Sequence, residues 1–138
     1  MSFASYFALD GIADLEKYYR KRAAEELLHH QWIMDYLSAG DFVFKYPAIE
    51  LNTENPASQL DPFRMTVDRE IQTTQMIYAI YDAACAEKDY MTVSWLLEKL
   101  IKEQVEEENT SRTAKAIMEE DTNNIFDKAE AVYDLLGD

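Results

Sequence analysis

This chain contains very few of the residues that break helices. Only 3 Gly and 3 Pro occur among its 138 residues, which is about 4% of the chain, where average usage is roughly 12%. A sandwich or barrel of many short strands needs a turn every ~8–12 residues. The sequence therefore predicts an all-α fold of long helices, organised as a single domain over residues 1–138.

Apolar residues recur with helical spacing along most of the chain. The predicted helices span residues 12–38, 62–87, 91–120 and, as a short amphipathic C-terminal helix, 125–136. Asp61 and Pro62 predict the start of the third helix, as an N-cap followed by proline at the first helical position. Residues 1–8 are apolar and aromatic, and no N-cap precedes them. They are interpreted as the end of a helix that Gly11 closes in a left-handed conformation.

An unusually long connection separates the second helix from the third. Residues 40–61 include Gly40, Pro47 and Pro56 and show no helical period. A helix of ~27 residues is ~40 Å long, and an extended chain of this length reaches up to ~70 Å. The segment can therefore run the length of a bundle, so we expect a four-helix bundle with one long crossover.

Charge and cysteine content exclude several classes of function. Lys and Arg number 13 against 27 Asp and Glu, giving −14, which argues against nucleic acid and anionic membranes and favours cations as partners. Cys85 is the single cysteine, so an intramolecular disulfide and a multi-cysteine zinc site are excluded. No apolar run approaches ~18 residues and no signal peptide is visible, so we expect a cytoplasmic protein.

On each long helix the regularly spaced apolar residues form a stripe along one face, which we expect to face the core. A few polar side chains lie on these stripes. Glu26 and His29 lie one turn apart on one face of the second helix. Glu70 lies on the stripe of the third helix. On the fourth helix, Gln104 and Glu107 repeat the three-residue step. These positions predict that several acidic groups face one another inside the bundle.

Carboxylates that face one another inside a bundle are costly unless cations hold them. Glu oxygen and His nitrogen are natural ligands of iron. One iron could be held by Glu26 and His29, with Glu26 bridging to the second. The second iron could be held by Glu70 and Glu107, while Gln104 hydrogen-bonds or polarises dioxygen or water. Such a site would bring O2 to two Fe(II) ions and oxidise them.

Two sequence runs resemble the signatures of non-haem ferritins. The run YYRKRAAEELLH over 18–29 is similar to that family's second-helix signature, and KEQVEEE over 102–108 is similar to its fourth-helix signature. Asp89 and Tyr90 also fit the break between its third and fourth helices. The resemblance covers essentially the whole chain and implies a ferritin-like four-helix bundle. It implies iron storage by a ferroxidase, with Fe(III) mineral kept in a 24-subunit cage.

The resemblance also assigns roles to individual residues. Glu26 and His29 match the first iron position, Glu70 and Glu107 match the second, and Gln104 matches the glutamine beside them. The acidic residues that bacterial ferritins use as a third, neighbouring iron position are matched by Glu25, Glu103 and Glu106. Fe(II) and O2 are the implied substrates, and the centre is a non-haem di-iron site.

Two features depart from the wider family pattern. The two histidines, His29 and His30, lie on one helix, so the second Glu-x-x-His of bacterioferritins and most di-iron oxygenases is missing. This gives no support to haem and disfavours a di-iron enzyme acting on an organic substrate. The family's first helix carries a further Glu ligand that would precede Met1. We therefore expect a truncated first helix, and a cage only if the full helix is present.

Each signal taken alone has a simpler interpretation. A single Glu such as Glu70 on an apolar stripe is usually a rim residue, and a run such as 103–108 is typical of a solvated acidic face. Cys85 and the aromatic residues are interpreted as packing. The second hypothesis is therefore a truncated helical-bundle protein that assembles, or binds a partner, with a weakened or non-functional metal site.

Overall fold

The computed structural model describes residues 2–43, 45–46, 48–50, 55–121 and 124–137, and all regular structure within these ranges is helical. The helices are α1 Phe3–Leu9, α2 Ala13–Ala39, α3 Asp61–Ala86, α4 Tyr90–Trp95, α5 Lys102–Glu119 and α6 Ile125–Asp134, with a π-helical segment, Leu96–Ile101, between α4 and α5. The chain divides into two compact units, Met1–Pro56 and Ala57–Asp138. The organisation as one domain stays a prediction.

Aromatic packing holds α1 against α2 in the first unit. The ring centroids of Phe3 and Phe7 lie 5.2 and 5.7 Å from that of Tyr19. Phe7, Leu15 and Tyr18 are almost completely buried. Aromatic pairs of this kind contribute about 0.5–1.5 kcal/mol beyond the area they bury. These contacts fix the first part of α2.

The ends of α1 agree only in part with the sequence. Gly11 has φ +73°, which confirms the predicted left-handed turn after the helix. The expectation that no N-cap precedes residues 1–8 is wrong, because the Ser2 hydroxyl accepts a hydrogen bond from the backbone N–H of Ser5 at 3.2 Å. A serine hydroxyl at the N-cap can accept a hydrogen bond from a backbone N–H of the first helical turn.

The later part of α2 is more exposed than its apolar stripe predicted. The structure describes every residue from Ala23 to Gly40, and none of them is buried. The side chains of Leu27 and Leu28 are exposed. α1 is too short to reach this part of α2, since it contains only 7 residues. Within the described part of the first unit, no other helix is present to cover it.

In the second unit, α3 packs against α4, the π-helical segment and α5. Phe63, Glu70, Ile77 and Ala84 are the regularly spaced buried residues of α3, seven apart, so they lie on one face as predicted. The buried residues of α5 are Gln104, Glu107, Ser111, Ala114 and Met118. Carboxylates of both helices therefore lie among residues removed from water.

The C-terminal helix is attached to the end of α5. The Lys128 Nζ donates to the backbone carbonyls of Met118, at 3.3 Å, and of Glu120. Asn124 caps α6 by accepting from the backbone N–H groups of Phe126 and Asp127. A lysine at the carbonyl end of a helix satisfies acceptors that have no partner within the helix. The short C-terminal helix is thus confirmed. Among the described residues, no helix combines the length and apolarity needed to cross a membrane.

The start of α3 differs from its prediction as an Asp61 cap. Asp61 is the first residue of the helix, and its carboxylate accepts from the backbone N–H groups of Ala57 and Ser58 at 2.8 and 3.0 Å. These hydrogen bonds, the one from Ala57 first, lower the pKa of Asp61. The carboxylate therefore caps the preceding turn rather than the helix, and it also lies 3.7 Å from the guanidinium of Arg64 in the first turn. Proline near the helix start is as predicted.

The start of α4 is capped by Asp89. Its carboxylate accepts from the Thr92 hydroxyl at 2.5 Å and from the Thr92 backbone N–H at 3.1 Å. The hydroxyl first, and then the N–H, lower the pKa of Asp89 below its ordinary value of 3.8. A lowered folded pKa means that this stabilisation is fully present above pH 3.8. It is lost as the pH falls through the folded value.

We predict that Asp89→Asn removes this acid sensitivity while keeping a capping oxygen. Asp89→Ala, the control, should lower the thermal midpoint at neutral pH because it removes the cap. Thermal unfolding of the three proteins from neutral pH to below pH 3.8 checks both statements. Parallel pH profiles for wild type and Asp89→Asn would contradict the role given to this carboxylate.

Candidate metal centre

In the first unit, α2 places Glu26 and His29 one turn apart. The Nδ1 atom of His29 lies 3.6 Å from Oε2 of Glu26, and the two side chains are 15% and 60% exposed. The Trp32 ring packs beside His29, with centroids 5.1 Å apart. The Glu26 side chain is more exposed than its predicted inward position implies, and its role as a ligand stays a prediction. The pair still offers an imidazole nitrogen and a carboxylate on one side of the helix.

In the second unit, Gln104 fixes the position of Glu70. The Gln104 Nε2 donates to Oε2 of Glu70 at 2.9 Å and to the Glu70 backbone oxygen at 3.1 Å. Both residues are buried. A hydrogen bond to a buried carboxylate is among the stronger ones in proteins. The amide therefore holds one oxygen of Glu70, and the other oxygen is oriented by the same contact.

Glu107 brings a second buried carboxylate close to Glu70. Its side chain follows Gln104 by one turn, and the residue is only 6% exposed. A carboxylate oxygen of Glu107 lies within 4.8 Å of a carboxylate oxygen of Glu70. A Glu107 oxygen also lies within 4.8 Å of a carboxylate oxygen of Glu103. Like charges this close in a poorly solvated region repel one another. A cation between them would offset that cost, and carboxylate oxygens are donors that iron accepts.

The three residues predicted as a third iron position differ in exposure. Glu25 and Glu103 are half-buried, whereas Glu106 is exposed. The structure brings Glu103 close to Glu107. Glu103 and Glu106 are three residues apart on α5, so the helical period gave them similar directions and could not predict that only Glu106 is exposed.

Glu108 is a site-proximal residue to which the sequence assigned no role. Its carboxylate accepts from the Thr74 hydroxyl and pairs with Arg112 at 2.7 Å. Glu108 and Gln104 both line a cleft of about 300 Å³ between α3 and α5. The i, i+4 spacing of Glu108 and Arg112 was a visible signal for the ion pair. The contact between Glu108 and Thr74 had no such signal, because 34 residues separate them in the sequence.

The family model for the ferritin-like domain matches residues 1–120. The chain belongs to the ferritin-like family. A bacterial non-heme ferritin from Staphylococcus epidermidis is 31% identical over 118 residues, covering 82% of this chain and 68% of that protein. One from Bacteroides fragilis is 28% identical over 112 residues, covering 81% and 70%.

Solved structures show the same relationship. An open pore ferritin from the hyperthermophilic archaeon Archaeoglobus fulgidus is similar with a TM-score of 0.89 and 27% identity, over 96% of this chain and 83% of that one. A humanized archaeal ferritin is similar with a TM-score of 0.88 and 25% identity, over 96% and 82%. These findings confirm the resemblance to non-haem ferritins and the all-α, ferritin-like bundle fold. The individual ligand assignments stay predictions.

We predict that Glu107→Gln stabilises the metal-free protein. Removing one of two neighbouring buried charges relieves their repulsion, so the free energy of unfolding should rise by about 1 kcal/mol or more. Denaturant unfolding after treatment with a chelator measures the change. Glu106→Gln is the matched control on the same helix, and as an exposed substitution it should change stability by less than about 0.5 kcal/mol. A less stable Glu107→Gln protein would contradict the proposed repulsion.

Proposed function

We propose that this chain stores iron by binding Fe(II), oxidising it with O2 at a site within the subunit, and retaining Fe(III) as a mineral. Membership of the ferritin-like family supports iron storage in general. The observation that carries the more specific proposal is the buried pair Glu70 and Glu107, whose carboxylate oxygens approach within 4.8 Å. Burying two like charges side by side is costly, and a cation bound between them would offset that cost.

Four side chains are proposed as the iron ligands. Glu70 and Glu107 would supply carboxylate oxygens, and we assign Glu26 and His29 as the remaining donors, as the sequence predicted. Two observations support this. The donors are of the types that non-haem iron takes up, and the family model extends over residues 1–120, which includes all four. Glu25, Glu103 and Glu106 are proposed as a neighbouring third iron position.

Gln104 is proposed to act by orientation and hydrogen bonding. Its Nε2 holds Glu70 Oε2 at 2.9 Å, so Glu70 is oriented before the substrate arrives, and less ordering is needed on binding. We also propose that the amide hydrogen-bonds or polarises dioxygen or water when these are bound. Each Fe(II) that is oxidised loses one electron, and dioxygen takes up these electrons together with protons. The site is proposed to need no haem.

Charge and surface also support this function. A net charge of −14 raises the local concentration of Fe(II) and disfavours nucleic acid and anionic membranes. Leu27 and Leu28 are exposed on α2, and exposed apolar residues of this kind favour self-association. We propose a cytoplasmic homo-oligomer, a 24-subunit cage if the first helix is complete.

We predict that His29→Ala lowers the rate of Fe(II) oxidation about tenfold or more, because a metal site loses much of its affinity when a ligand is removed. The absorbance of Fe(III) after aerobic addition of Fe(II) measures the rate. His30→Ala is the matched control, since His30 is the exposed neighbour on another face of the same helix. Equal loss in both variants, or unchanged oxidation in His29→Ala, would contradict the assignment.

The alternative is an assembly or partner-binding protein whose metal site is weak or non-functional. The observation that favours it is the 60% exposure of the Glu26 side chain, because a solvated carboxylate holds a metal less tightly. Light scattering after size-exclusion chromatography separates the two functions when it is combined with iron loading. For a protein that carries the full first helix, we predict a large, iron-retaining particle of about 24 subunits. A dimer or aggregate that passes through iron loading without retaining the metal would support the alternative.

A further inference from the structure

The π-helical segment Leu96–Ile101 lies directly before the helix that carries Gln104 and Glu107. A π turn contains about one residue more than an α turn, and such turns are frequent at functional sites. Its effect is visible in two adjacent leucines. Leu96 is 2% exposed, whereas Leu97 is 46% exposed, although a continuous α-helix would place Leu97, and not Leu96, on the face of Gln104.

The helical repeat explains this reversal. In a continuous α-helix the residue seven before Gln104 shares its face, and that residue is Leu97. Leu96 stands eight before Gln104, about 800° away, so it would lie about 80° off the face. Leu96 is nevertheless buried together with Leu100 and Gln104. The extra residue of the π turn absorbs the difference.

We propose that the π-helical segment sets the register of the proposed iron site, and that Leu96 is the positioning residue through which it acts. The inference rests on the proposed function, because it concerns the geometry of the proposed iron site. α3 contacts both the π-helical segment and α5. Leu96 can therefore be buried at one end of this contact while Gln104 reaches Glu70 at the other. In a purely α-helical register, burying Leu96 would turn Gln104 and Glu107 away by about 80°.

The proposal explains why two leucines stand side by side. Leu97 is the inward residue of the α register, and Leu96 is the inward residue of the π register. The same sequence can therefore offer an apolar side chain to the interface in either register. Because Leu96 is buried and Leu97 is exposed, the π register is the one present. In this register Gln104 donates its hydrogen bond to Glu70.

Thiol labelling tests the register without iron. Cys85 is exposed, so it is first replaced by serine, and Leu96→Cys and Leu97→Cys are then made separately. We expect the thiol at position 97 to react about tenfold or more faster than that at position 96, because access controls labelling. The denatured proteins give the fully accessible rate for each thiol. Equal rates, or faster reaction at position 96, would overturn the proposal.

Two deletions test the consequence for the site. Glu98 is exposed, and deleting it puts Leu96 seven residues before Gln104, so an ordinary α-helix keeps both on one face. Deleting Glu98 and Lys99 puts Leu96 six residues before Gln104, which no α-helix aligns with it. We expect the single deletion to bind Fe(II) within about twofold of wild type, and the double deletion to bind it at least about tenfold more weakly.

Anaerobic Fe(II) titration measures binding, and circular dichroism measures helix content in the same samples. Loss of Fe(II) binding in a helical single-deletion protein, or unchanged binding in the double deletion, would overturn the proposal. Leu96→Met should bind Fe(II) like wild type, since methionine keeps an apolar side chain of similar volume at this position. If wild type itself bound no Fe(II), the proposed function would fail, while the labelling rates would still decide the register.

Discussion

Two neighbouring carboxylates, those of Glu70 and Glu107, are buried between α3 and α5. Phe63, Ile77 and Ala84 give α3 an apolar face that removes its neighbours from water, and Glu70 lies in the middle of that face. Glu107 comes within 4.8 Å of it from α5. Burying one charge beside another of the same sign is tolerated only when another interaction compensates. Gln104 supplies part of that compensation, and a bound cation is proposed to supply the rest.

Much of the fold could be predicted because the physical signals were local. The scarcity of Gly and Pro predicted long helices, and the spacing of apolar residues located them to within a few residues. The face of α3 was predictable for the same reason, since Phe63, Glu70 and Ile77 recur at helical intervals. Glu70, Gln104 and Glu107 were predicted on inward positions and are buried. Their polarity on an apolar stripe was the signal.

The remaining differences depend on contacts that a helical period does not contain. The hydrogen-bonding pattern of a π turn leaves no mark in composition, and Leu96 and Leu97 are the same residue type. The exposure of Glu26 depends on what covers the later part of α2, which the periodicity of α2 does not report. Asp61 precedes a proline as an N-cap would, but the N–H groups of Ala57 and Ser58 engage its carboxylate first.

The central claim is that Fe(II) is held by carboxylate oxygens together with one imidazole nitrogen. X-ray absorption at the iron edge, on protein loaded with Fe(II) under anaerobic conditions, tests it most directly. We expect iron coordinated by oxygen and nitrogen, with the outer-shell scattering that an imidazole ring produces. A spectrum identical to that of Fe(II) in buffer, with no imidazole contribution, would contradict it.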